Sequence, residues 1–148
     1  MNIAFQGTHG AYSEQAAYAY FGRNTQTVPY STFDEVFLNV VQSTCDFGIV
    51  PVENSLAGSV HRNYDLLMRH NLYIIGEEVL RINHHLITLP NVALGDIKRV
   101  YSHWQALDQC EQTLRTLLPD AEKIQTYDTA GSVKMLLDEQ RTDTAAIA

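Results

Sequence analysis

Cysteine is scarce. Cys45 and Cys110 are too few and too far apart for a disulfide framework or a zinc site. A reducing cytoplasm is therefore the expected location. Long apolar runs are absent too: none approaches the ~20 residues that a membrane span requires. The opening MNIAFQG has no basic lead and no apolar h-region of the kind a signal peptide carries. Basic residues are in the minority, with 10 Lys and Arg against 17 Asp and Glu in 148 residues, for a formal charge of −7. They never gather into a patch, which argues against nucleic acid and anionic membranes as partners. A small anion would have to be held by local donors rather than by the global field. Four prolines and eight glycines leave no flexible linker. No P-loop, GxGxxG or nucleophile elbow occurs.

What is present is an ordinary globular mix, 45% hydrophobic and 18% charged, with strands and helices in alternation. Strands are expected at 2–6, 27–29, 46–50, 98–101, 124–127 and 144–148. Helices are expected at 13–22, 32–43, 61–70, 104–118 and 130–140. The second helix opens on a capping box, Thr32 with Glu35. The third carries Tyr64, Leu67 and Met68 as its apolar stripe, and the methionines and aromatics in general are expected in the core. This rhythm implies α/β architecture with mostly parallel sheets. Two consecutive extended segments, 72–80 and 82–88, break it. They are read as a crossing between two lobes, 1–76 and 77–148. The chain stops inside the apolar run Ala145-Ala146-Ile147-Ala148, and a fragment of a longer protein is expected from that.

In open α/β sheets, ligands bind beyond the carboxyl ends of strands, where helices begin. Four such turns are polar: 7–14 (GTHGAYSE), 53–59 (ENSLAGS), 102–105 (SHWQ) and 128–130 (DTA). Each sets a hydroxyl or amide beside helix N–H groups, a natural cradle for an anion. Any one of them is most economically a cap that binds nothing. Four together describe a binding cleft for a small anion. Glu53 follows an apolar strand, Asn54 and Gly58 suit a turn, and His103 suits either a cap or a base. His84 and His85 point to opposite faces of an extended segment, so a metal site from that pair is not expected.

Quoted in order, GTHGAYSEQAA, DFGIVPVENSLAGSV and VYSHWQALDQC resemble the catalytic domain of prephenate dehydratase, with INHHL, DTAGS and AAIA as weaker matches. The resemblance covers the whole chain. It implies a two-lobed fold like that of type 2 periplasmic binding proteins, with the site between the lobes. It implies conversion of prephenate to phenylpyruvate in phenylalanine biosynthesis, with no metal and no organic cofactor. Carried over by motif, Glu53, Asn54 and Gln105 are expected to be catalytic. Thr8, Tyr12, Ser13, Ser55, Ser102, His103 and Thr129 are expected to bind substrate. A homodimer is expected of the full-length protein. Two departures stand out. Trp104 occupies a position where the family usually has proline, and the family's Thr-Arg-Phe motif, return segment and regulatory domain are missing. The 148-residue piece is therefore expected to be inactive by itself. Arogenate dehydratase and a non-catalytic anion-binding module are the alternative readings.

Overall fold

The computed structural model describes residues 1–55 and 58–148. The chain divides into two compact units, Met1–Ile82 and Asn83–Ala148, where the sequence reading set the division after Gly76. No described helix is long and apolar enough to cross a membrane.

The first unit is built on β1 (Asn2–Gln6), whose Ile3, Ala4 and Phe5 are fully buried. A strand this uniformly apolar needs cover on both faces. It receives α1 (Tyr12–Phe21) and α2 (Phe33–Val41), which both pack against it. β2 (Gln26–Tyr30) and β3 (Phe47–Ile49) flank β1 in the order β2-β1-β3, all parallel. The expected capping box opens α2: Glu35 N–H donates to the Thr32 hydroxyl at 3.2 Å, and Thr32 N–H to the Glu35 carboxylate at 2.9 Å.

Between β3 and the end of the first unit the expectation fails in three places. The stretch read as a strand-to-helix turn contains a two-stranded antiparallel ribbon, β4 (Glu53–Asn54) with β5 (Gly58–Ser59), before α3 (His61–His70). The buried face of α3 carries Asn63 and Leu66, while Met68 is 88% exposed and Tyr64 is exposed as well. The amide at 63 takes the place the aromatic was expected to fill. Residues 72–80, expected to be extended strand, form no strand: Tyr73 is 83% and Val79 87% exposed. A strand exists only where a neighbour accepts its hydrogen bonds, and no ladder reaches this segment.

The second unit contains β6 (Leu86–Thr88), β7 (Arg99–Ser102), α4 (Trp104–Gln109), α5 (Glu111–Leu117), β8 (Glu122–Gln125), α6 (Thr129–Glu139) and β9 (Thr144–Ile147). Its strand order is β6-β9-β7-β8, parallel except for the β6–β9 pair. Every residue of β9 is buried. The single helix expected over 104–118 is two helices that meet at Cys110 (φ −95°, ψ 2°).

Candidate functional site

Each unit supplies its own candidate residues. In the first, the chain leaves β1 through Gly7, whose φ of +119° suits glycine and whose missing Cβ would lie 3.2 Å from that of Ala11. Gly7 N–H donates to the Tyr30 carbonyl at 2.9 Å, and Ala11 N–H to the Thr8 carbonyl at 3.1 Å, so the turn is tied at both ends. The Thr8 hydroxyl is buried and has no hydrogen-bond partner among the described residues. A buried polar atom left in that state costs roughly 1–3 kcal/mol. The helix that follows it in sequence, α1, has Ala11 at its cap position, which offers no side-chain cap. Tyr12 and Ser13 are half-buried in its first turn.

The ribbon is anchored from behind. Val60 N–H donates to the Val52 carbonyl at 2.9 Å, and the Asn63 amide, fully buried, donates to the Pro51 carbonyl at 2.7 Å. Glu53 pairs with Ser59 and Asn54 with Gly58. Neighbouring strand positions face opposite ways: Glu53 and Ser55 are exposed and Asn54 half-buried. Leu56 and Ala57 of this motif lie outside the described residues. As at α1, the residue before α3, Val60, provides no side-chain cap.

In the second unit the turns are occupied by the chain itself. The Ser102 hydroxyl is buried and donates to the Ile147 carbonyl at 2.7 Å, tying β7 to β9. His103 caps α4, its Nδ1 accepting from Gln105 N–H at 3.4 Å. Burial lowers the His103 pKa, partly offset by the charge of Asp128. With a neutral ring accepting at Nδ1, the proton sits on Nε2. Gln105 is half-buried, and Trp104, the departure from proline, is 51% exposed. Asp128 caps α6, its carboxylate accepting from Gly131 N–H. The fourth turn, expected to be an open anion cradle at Thr129, thus already holds an internal carboxylate. Thr129 itself is half-buried.

A family model for prephenate dehydratase matches residues 3–148. The chain belongs to the prephenate dehydratase family. Among curated relatives, it is 46% identical over 148 residues to arogenate dehydratase/prephenate dehydratase 2, chloroplastic, of Arabidopsis thaliana, covering 100% of this chain and 38% of that one. Among solved structures, prephenate dehydratase from Staphylococcus aureus superposes with a TM-score of 0.81 at 28% identity, covering 100% of this chain and 54% of that one. A protein described as GqqA, a novel type of quorum quenching acylase, gives 0.89 at 32%, covering 100% and 53%. The family thus has the α/β fold with mostly parallel sheets expected from sequence, and its members act on small molecules. The chain spans well under half the length of the curated relatives it matches. The chloroplastic designation of several relatives corrects the cytoplasmic expectation. Two cysteines speak against a disulfide framework; they do not choose among compartments that lack disulfides.

Glu14 and Asn63 are buried polar residues that the sequence reading did not single out. Glu14 is 6% exposed and accepts four hydrogen bonds. Asn63 holds the ribbon's base. A positional signal existed for each. Glu14 precedes the buried Ala17 by three residues, and Asn63 precedes Leu66 by three, so both sit on the buried stripe of their helix.

Proposed function

We propose that this chain forms the greater part of a dehydratase domain that binds prephenate and, completed by the rest of its protein, converts it to phenylpyruvate with loss of water and carbon dioxide. The observation that carries the reading is the Thr8 hydroxyl: buried, without a partner among the described residues, and placed beside the α1 N-terminus, which no described side chain caps. Hydroxyls and helix N–H groups suit a dicarboxylate, because they orient it without excess positive charge. Strong positive charge would stabilise the carboxylate that must leave. Aromatisation makes the reaction downhill, so the enzyme's task is to hold the dianion and help the ring hydroxyl depart. Glu53, Asn54 and Gln105 are proposed for that task. Tyr12, Ser13, Ser55, Ser102, His103 and Thr129 are proposed, with Thr8, to hold substrate. His103, with its proton on Nε2, would serve as a donor rather than as a base.

The names of the plant relatives favour arogenate, the amino analogue, as a second substrate. A division into lobes at 1–76 and 77–148, and a homodimer in the full-length protein, are further parts of the proposal; sedimentation of that protein tests the dimer. The substrate reading is tested by calorimetric titration of the chain with prephenate and with arogenate, and by following phenylpyruvate formation in the full-length protein. Thr8→Val is expected to weaken prephenate binding by roughly 1.5–3 kcal/mol, the worth of a hydrogen bond to a charged group. Unchanged affinity would remove Thr8 from the site, and binding of neither acid would overturn the reading.

A further inference from the structure

Glu14 is a buried carboxylate that the proposed chemistry does not use. It stands in the first turn of α1 with its side chain 8% exposed, and donors reach it from three parts of the unit. From the turn come His9 Nδ1 at 2.7 Å and Gly10 N–H at 2.7 Å. From α1 comes the Tyr18 hydroxyl at 3.3 Å, and from β2 the Thr27 hydroxyl at 2.6 Å. Burial by itself would raise the Glu14 pKa, but the Thr27, Gly10 and His9 contacts outweigh it and the net shift is downward. An ionised carboxylate only accepts hydrogen bonds, so His9 must carry its proton on Nδ1. Gly10 has a φ of +92°, a conformation that a bond from its N–H to a fixed acceptor helps to hold.

We propose that Glu14 is the positioning residue of the 7–13 turn, its carboxylate fixing both the Gly10 peptide and the His9 ring so that the Thr8 hydroxyl and the open N-terminus of α1 are held ready for ligand. The ligand half of this rests on the prephenate-binding reading above; the hydrogen-bond half does not. Four donors on one carboxylate make the arrangement sensitive to a single change. A glutamine offers one carbonyl and two N–H groups, so it cannot accept all four bonds, and the turn must give up at least one. Thr27 provides the contrast, because it bonds Glu14 from the β2 side and touches no atom of the turn among the described contacts.

The experiment compares the wild-type chain with Glu14→Gln, Glu14→Asp and Thr27→Val. Nitrogen-15 spectra at pH 8.5 read the His9 tautomer, and calorimetry reads prephenate affinity. The expected result is a pure Nδ1–H tautomer and a downfield Gly10 amide proton in the wild type. One or the other should be lost in Glu14→Gln, since the single carbonyl can replace only one of the two oxygens that hold His9 and Gly10, with affinity down about tenfold. Glu14→Asp, one methylene short, should show the same trend. Thr27→Val should lower the melting temperature while leaving tautomer and affinity in place. An Nε2–H tautomer in the wild type overturns the proposal. So does a Glu14→Gln or Glu14→Asp chain that folds and keeps its affinity within twofold. Should the wild type not bind prephenate at all, the substrate reading fails, and the tautomer and the Gly10 amide still decide whether Glu14 holds the turn.

Discussion

The helix starts that follow the four polar turns are treated in opposite ways in the two units. In the first, α1 and α3 follow the polar segments at 7–11 and 53–60 and begin at Ala11 and Val60, neither of which caps. In the second, α4 and α6 follow comparable segments and are capped by His103 and Asp128. The sequence motifs look alike, yet one pair of turns leaves donors unclaimed by any capping side chain and the other pair spends them on the chain itself. A polar turn before a helix is therefore not one signal but two, and only the residue at the cap position separates them. Two carboxylates, one from each unit, are also held differently. Glu14 is buried and held by uncharged donors and His9. Asp143 lies near the surface against Arg141 and Arg99 at 3.0 Å each, with its pKa brought down to about 2, chiefly by Arg141.

The largest test of this contrast removes what the turns stand on. Phe5→Ala, at a fully buried position beneath the 7–13 turn, is expected to cost roughly 3–5 kcal/mol in urea denaturation. Glu14→Gln comes next, at roughly 1.5–3 kcal/mol for bonds to a buried charge. Acid sharpens the same point. Both carboxyls are depressed in the folded chain, so their stabilisation is present above the unfolded values and lost as pH falls. The loss from Glu14 sets in below its ordinary 4.5, and that from Asp143 runs from 3.8 down to about 2. Melting temperature against pH should fall in both windows, and Glu14→Gln should remove the upper one. Asp128→Ala should cost about 1 kcal/mol, as a lost cap does, with a smaller effect on prephenate binding than Thr8→Val. The smallest effect is a reversal. Ala11→Ser should add a cap worth about 0.5–1 kcal/mol in thermal unfolding while weakening prephenate binding, because the new hydroxyl competes for the N–H groups proposed above to hold the ligand. A serine that stabilises without weakening binding would break the comparison.

Much of this arrangement was legible in the sequence, and the misses have physical causes. β1 and α2 with its capping box announce themselves through apolar spacing and cap residues. The β4–β5 ribbon does not, because two residues per strand are too short to display any period. The kink at Cys110 has no glycine or proline to mark it. The run Leu72-Tyr73-Ile74-Ile75 has strong strand propensity, but pairing is a property of the neighbour and not of the run. Tyr64 and Met68 have helical spacing, yet α3 turns Asn63 inward because the Pro51 carbonyl needs a donor. At the candidate site, the motifs marked the turns, whereas no motif shows that His103, Asp128 and Ser102 bond to the chain itself.

The place of β9 has a consequence for how the protein is made. The sheet of the first unit is complete once residue 49 has left the ribosome, since β1, β2 and β3 are then all available. In the second unit β6 pairs, among the described residues, only with β9, and the chain between Thr88 and Thr144 must be synthesised before that partner exists. At ordinary translation speeds of about 5–20 residues per second the wait is roughly 3–12 s. For that interval Leu86-Ile87-Thr88 is an unpaired strand, the kind of edge on which nascent chains aggregate. The demand for a chaperone during synthesis therefore falls on β6, and slowing translation between residues 88 and 147 should raise misfolding of the second unit while leaving the first intact.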